Sequence, residues 1–158
     1  MKKVLEKKWI TESGHEAVVY FQIMGFRCGY VKVDKDSKIF GMEYKYVSIP
    51  FEDIDEDFIR NIETMKAINK IEVHGGLSFN GKLSGIDGYW FGFDCGNVLD
   101  KIDRDSYLKY YGKEAEKRLY LDDSKVRTLE YCIQECEKLS NQIEEIEIKE
   151  NLKWYLKE

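Results

Sequence analysis

The chain has one proline, Pro50, and only two histidines, His15 and His74, among its 158 residues. It also lacks a linker rich in serine, proline and glycine, an internal repeat and a low-complexity tract. Without such a break, residues 1–158 are most simply one domain, with a C-terminal extension at about 147–158. Because histidines are so few, the position of His74 directly before two glycines is the first feature to explain.

An excess of basic residues and a long apolar run are also missing. The net charge is −5, whereas a nucleic-acid surface usually needs a basic stripe. No run approaches the roughly 20 apolar residues that cross a bilayer, and the N-terminus has no apolar segment of signal-peptide length. We therefore expect no nucleic-acid partner, no membrane partner and a cytoplasmic location.

The four cysteines form no CxxC pair, which excludes a zinc ribbon and a thioredoxin motif. In a reducing compartment they are expected to be free thiols. Cys132 and Cys136 are spaced by one helical turn beside an apolar stripe, which favours packing over metal binding. The spacing does not support a zinc site built from His74, Asp94 and a cysteine, so we predict no metal and no cofactor.

The composition, 43% hydrophobic and 14% aromatic, is sufficient for a folded core. Apolar periodicity and turn residues predict elements along the whole chain. In order, these are strands at 17–23 and 27–33, a helix from Asp53, strands at 71–74 and 89–95, a short helix at 103–111, and a long helix opening at the N-cap candidates Asp122–Ser124. The order predicts an α+β class: a single domain, mainly antiparallel β-sheet, with a helix after residue 53 and a long C-terminal helix packed on one face.

The stretch IEVHGG at 71–76 carries the first candidate site. On a strand, alternate side chains share a face, so Glu72 and His74 point the same way. If this strand lies beside the strand at 89–95, Asp94 joins them on one polar face, with Trp90 as an aromatic wall. A carboxylate beside an imidazole sets its tautomer, so His74 is a candidate general base oriented by Glu72 or Asp94. The alternative is a hydrogen-bonded structural histidine, with the glycines serving turns.

Two further readings concern the residues around His74. Cys95 could act as a nucleophile, but its predicted face is apolar, which favours a packed thiol. Gly75 and Gly76 could form an anion-binding turn for a nucleotide-like ligand, although no phosphate-loop motif is present.

Several segments together resemble a family of small proteins from phage and bacterial genomes. They are CGYVKV at 28–33, FGMEY at 40–44, VHGGLSF at 73–79, YWFGFDCGNVLD at 89–100 and LEYCIQECEKLSNQI at 129–143. The family pattern reads VHGGLT, then WWFGFDCAH, then an aspartate three residues on. The resemblance implies that the positions shared with the family motifs are His74, Gly75, Gly76, Asp94, Cys95 and Asp100.

One position departs from the pattern, because Asn97 stands where the family has histidine. Asn97 donates and accepts hydrogen bonds but cannot titrate. This departure argues against a centre built on two histidines.

The resulting hypothesis is a phage- or prophage-type accessory protein that binds a small, nucleotide-like ligand or a host factor, with anti-defence as one such role. Its location would then be the host cytoplasm. The predicted ligand-binding residues are His74, Gly75, Gly76, Trp90, Asp94, Cys95, Asn97 and Asp100. The alternatives are a hydrolase that uses His74 with Glu72 or Asp94, and a purely structural or interaction protein. The sequence leaves the oligomeric state open.

Overall fold

The structure is a computed structural model that describes residues 3–42 and 56–157. Three helices are interspersed among seven strands in the described residues. They are β1 (Lys3–Ile10), β2 (Glu16–Gln22), β3 (Arg27–Val33), α1 (Glu56–Asn69), β4 (Phe79–Leu83), β5 (Ile86–Asp94), β6 (Asp100–Lys101), α2 (Arg104–Tyr111), β7 (Lys125–Val126) and α3 (Leu129–Lys157). The predicted helix start at Asp53 lies outside the described residues.

The main sheet has five strands in the order β1-β2-β3-β5-β4, and every neighbouring pair is antiparallel. A separate parallel pair, β6 and β7, joins Asp100 to Lys125 and Lys101 to Val126. The predicted α+β class is therefore confirmed, with the long helix α3 against the sheet. Within the described residues, no helix combines the length and the apolar character that crossing a membrane requires.

The two faces of the sheet have separate cores, and residues of β3 contribute to both. Val31 and Val33 point to the face that α3 covers, together with Phe91 and Phe93 of β5. On the other face, Val18, Tyr20 and Trp90 form a smaller buried cluster against Tyr30 and Phe79. Burial of these side chains is the main stabilising contribution to the fold.

Gly29 in β3 lets the α3 face pack closely. A Cβ at this position would lie 2.5 Å from the Phe93 ring and 2.7 Å from Cys136 Sγ. A side chain larger than hydrogen therefore cannot occupy this position without displacing the helix or the ring.

The long helix begins later than predicted. Its first residue is Leu129, and Thr128 caps it by accepting a hydrogen bond from the Tyr131 amide at 3.1 Å. The predicted cap at Asp122–Ser124 is wrong, because that segment turns into β7 and Val126 is a strand residue. At the other end α3 continues to Lys157, so the residues after Glu147 extend the same helix.

The predicted strand at 71–74 is also wrong. Residues 71–73 have no strand partner, and His74 starts a turn. A side chain of α3 supplies the backbone partners instead: Gln142 Oε1 accepts from the Glu72 amide at 2.7 Å, and Gln142 Nε2 donates to the Glu72 carbonyl at 2.8 Å. The Gln142 amide thus satisfies the Glu72 backbone as a neighbouring strand would. Ile71 and Val73 are buried and Glu72 is exposed, although the segment belongs to no sheet.

A buried arginine ties the end of the sheet to α2 and to the segment before α3. Arg27 donates to both carboxylate oxygens of Glu6, to Asp103, to Ser106 and to the Arg127 carbonyl. Its side chain is 4% exposed, and all five of its N–H groups are thereby used. The contact with the Arg127 carbonyl fixes the backbone from which the Arg127 side chain reaches the candidate site.

Candidate functional site

The turn that holds His74 depends on its two glycines. Gly75 and Gly76 have φ of 67° and 81°, a region that residues with a Cβ rarely adopt. The Gly76 amide donates to the Val73 carbonyl at 2.8 Å, which closes the turn. The turn places the imidazole of His74 against the first turn of α3.

Both nitrogens of His74 have partners inside the protein. Nε2 lies 2.9 Å from Asp100 Oδ2, and Nδ1 lies 2.8 Å from the Tyr131 hydroxyl. Because an ionised carboxylate only accepts, Nε2 carries the proton, and in the neutral ring Nδ1 accepts from Tyr131. The His74 side chain is 11% exposed, so little of the ring reaches solvent.

Asp100 is the centre of this arrangement. Its Oδ2 accepts from His74 and from the Asn97 amide at 2.9 Å, and its Oδ1 accepts from Arg127 Nε at 2.8 Å. Burial would raise the pKa of Asp100, but hydrogen bonds from His74, Asn97 and Arg127 outweigh it and hold the pKa below its ordinary value. We call His74, Asn97, Asp100, Arg127 and Tyr131 the His74 cluster.

Asn97 connects the cluster to the glycine turn. Its Nδ2 donates to the Asp94 carbonyl at 3.0 Å, and a Cβ on Gly75 would collide with the same amide group. Asn97 therefore fills the space beside Gly75 and holds the loop after β5 through hydrogen bonds that need no titratable group.

The structure brings together only some of the residues predicted to form the site. His74, Gly75, Asn97 and Asp100 meet, with Gly76 next to them in the turn. Glu72 is exposed and is not on a shared strand face with His74, because residues 71–74 do not form a strand.

Asp94 and Trp90 belong to the other side of the sheet. Asp94 lies opposite Cys28 of the neighbouring strand β3, and its carboxylate accepts a hydrogen bond from the Gly96 amide at 3.0 Å. Trp90 is fully buried in the smaller core, so it offers no aromatic wall to a ligand. Gly92 leaves no opening either, since the Tyr30 ring occupies the place where a Cβ would stand.

Cys95 lies beneath the cluster, on the apolar face that its strand position predicts. It is buried, and its sulfur is 3.5 Å from that of Cys132. The hydrogen bond with Cys132 and burial raise the pKa of the Cys95 thiol well above its ordinary value. A thiol held protonated in this way is a poor nucleophile, which supports the packing interpretation.

The sequence interpretation missed Arg127 and Tyr131. Arg127 precedes the true start of α3, in the segment that was predicted as helix. Tyr131 lies in the first turn of α3. Thr128 followed three residues later by Tyr131 offers a cap but no glutamate of a capping box, so the sequence signal for the true helix start is weak. Burial raises the pKa of the Tyr131 hydroxyl, which keeps it a hydrogen-bond donor.

The two glycines of the turn give a matched test of this geometry. Each alanine substitution must adopt a positive φ, which we expect to cost about 1 kcal/mol of unfolding free energy. Gly76→Ala meets no atom within 4 Å, whereas Gly75→Ala also meets Asn97 and should lose about 1–2 kcal/mol more. Urea unfolding of both variants measures the difference. Equal losses would contradict the contact between Gly75 and Asn97.

The other histidine lies in a different part of the molecule. His15 has Nδ1 2.7 Å from Ser140 Oγ and Nε2 2.7 Å from Glu147 Oε1, and it lines a cleft of about 670 Å³. Ser140 is fully buried and also bonds Thr11, so it is not placed to attack a substrate. The lining of this cleft includes no residue of the His74 cluster.

Across residues 3–42 and 56–157, no group of three or more histidine, cysteine, aspartate and glutamate side chains is arranged to hold a metal ion. Comparisons of the chain with protein-family models, with curated proteins and with solved structures found no match.

Proposed function

We propose that this protein is a binding module, and that the His74 cluster shapes a loop that contacts a protein partner. The observation that carries the proposal is the contrast between the cluster and the loop it holds. The imidazole and the carboxylate have internal partners at every nitrogen and oxygen, and their side chains are 11% and 2% exposed. Between Asn97 and Asp100, however, Val98 is 75% exposed and Leu99 is 42% exposed.

The exposed residues form a surface with a second segment. The Leu99 carbonyl accepts from the Lys125 amide at 2.9 Å, and the turn at 121–124 leads into the same short strand. We call this the apolar loop surface, and it consists of Val98, Leu99, Leu121 and Val126, all of which are exposed. Exposed apolar residues gathered on loops that a buried polar network fixes are typical of interaction sites.

The shape of this surface favours a protein over a small molecule. A small ligand is usually enclosed by a concave pocket, whereas a side chain that is three-quarters exposed, as Val98 is, encloses nothing. A protein surface with a complementary apolar pocket would bury Val98 as an anchor. The resemblance to phage-encoded proteins suggests a host protein as that partner.

The test is a comparison of retained proteins between matched surface variants. Val98→Asp places a charge on the proposed surface, and Ile10→Asp places one on an exposed apolar residue of β1. We expect Val98→Asp to lower partner retention from a host-cell lysate by about tenfold or more, with little change in thermal stability. Ile10→Asp should retain the partner as the wild type does. Loss in both variants, or in neither, would contradict the assignment of the surface.

A second candidate function is acid–base catalysis, because Tyr131, His74 and Asp100 form a continuous hydrogen-bonded chain. In this interpretation Asp100 takes the orienting role that the sequence gave to Glu72 or Asp94, and His74 Nδ1 takes the proton of the Tyr131 hydroxyl when that oxygen acts on a substrate. A screen against phosphodiester, nucleotide and ester substrates addresses it. Catalysis predicts that one of these substrates is turned over and that Tyr131→Phe abolishes the turnover while the protein stays folded.

A further inference from the structure

We propose that Cys95 and Cys132 are an oxidisable thiol pair that closes to a disulfide under peroxide and joins the end of the β5 segment to the first turn of α3. The inference is independent of the proposed function, since it concerns the isolated protein. Packing alone does not require the sulfurs of Cys95 and Cys132 to meet, and the proposal assigns a modification site to this pair.

The geometry selects this pair from the four thiols. All four cysteines are free and buried, and the sulfurs of Cys95 and Cys132 are 3.5 Å apart. Cys136 faces Gly29 in the sheet, and Cys28 lies opposite Asp94. Cys132 and Cys136 are one turn apart on α3, where the rigid helix holds both residues in place. The two sulfurs that meet therefore come from different elements.

The position of the pair gives a crosslink a structural consequence. Cys95 directly precedes the loop that carries Asn97 and Asp100, and Cys132 directly follows Tyr131. A bond between the sulfurs would join the two segments that otherwise meet through the hydrogen bonds of His74. Oxidation would thus fix covalently what the His74 cluster holds non-covalently.

The chemistry balances with hydrogen peroxide as the two-electron oxidant. Opening of the adjacent loop exposes one thiol to water, where it can lose its proton, and the thiolate then attacks a peroxide oxygen. The O–O bond breaks, and a sulfenic acid and one water form. The second thiol then attacks that sulfur, the S–O bond breaks, and the oxygen leaves as a second water. Both sulfurs lose one hydrogen, and the two electrons reside in the water produced. Access to Cys95 comes from opening of the adjacent loop, so the reaction should be slow.

The experiment treats the reduced full-length protein with hydrogen peroxide, blocks remaining thiols and maps peptides by mass spectrometry. We expect one crosslink, between the peptides of Cys95 and Cys132, and its reversal by dithiothreitol. The variant Cys28→Ala/Cys136→Ala should form it, and the matched variant Cys95→Ala/Cys132→Ala should form none. The oxidised wild type should melt on the order of 10 °C higher, because the crosslink restricts the unfolded chain.

Three results would overturn the proposal. The first is a crosslink in the wild type that involves Cys28 or Cys136 instead. The second is oxidation of Cys95 to sulfinic or sulfonic acid without a crosslink. The third is a lower melting temperature of the crosslinked protein, which would mean that the bond forms only in a distorted fold. Peptide mapping of the wild type decides the first two without any variant.

Discussion

Replacement of Asp100 by asparagine should lower the free energy of unfolding by about 3 kcal/mol. The side chain is 2% exposed, forms an ion pair with Arg127 at 2.8 Å and accepts a hydrogen bond from His74 Nε2 at 2.9 Å. The asparagine amide has one acceptor oxygen and no charge, so the partly exposed Arg127 guanidinium loses its counter-ion and the His74 ring loses a strong acceptor. Urea unfolding at neutral pH measures the loss.

An exposed aspartate on a nearby loop serves as the control for Asp100→Asn. Asp122→Asn removes the same charge from solvent-exposed chain and should change the stability by less than about 0.5 kcal/mol. A similar small effect at Asp100 would mean that its contacts with Arg127 and His74 contribute little and that the cluster is not a structural unit.

The pH dependence of the same variant has a definite sign. The folded state holds the pKa of Asp100 below its ordinary value of 3.8, so the carboxylate contributes stability that is fully present above that pH. This contribution is lost as the pH falls through the lower, folded-state pKa. The unfolding free energies of wild type and Asp100→Asn should therefore stay apart at neutral pH and converge below about pH 4.

Replacement of His74 by alanine should have the second large effect, a loss of about 2–3 kcal/mol of unfolding free energy. The substitution removes the partner of the Tyr131 hydroxyl and one of the two partners of Asp100 Oδ2, and leaves both groups beside a cavity. Thermal and urea unfolding provide the measurement. Glu72→Ala is the matched control two residues away, and its exposed side chain should contribute less than about 0.5 kcal/mol.

The sequence predicted those parts of the fold that depend on local periodicity. The sequence predicted strands at 17–23 and 27–33, and the structure has β2 at Glu16–Gln22 and β3 at Arg27–Val33. It missed β1, whose lysines conceal the strand pattern at the edge of the sheet, and β4, where glycine and asparagine lower the β-propensity.

The site was predicted only in part, because its contacts join distant segments. The family resemblance singled out His74, Gly75 and Asp100, which meet in the structure. Glu72 and Asp94 were predicted as partners of His74 from strand geometry. The prediction is wrong because residues 71–74 form no strand, and the Glu72 backbone bonds the Gln142 side chain instead. No local pattern reveals a contact between residues that are 70 positions apart in the chain.

Hydrogen exchange of the Asn97 amide tests the central claim most directly, namely that His74 fixes the exposed loop through Asp100. In the wild type this amide donates to Asp100 Oδ2 at 2.9 Å. In His74→Ala we expect its protection factor to fall at least about tenfold while the protein remains folded, because Arg127 then holds the carboxylate through Oδ1 alone and Oδ2 loses its contact with the ring. Unchanged protection of Asn97 in a folded His74→Ala protein would contradict the account and would separate His74 from the loop that it is proposed to shape.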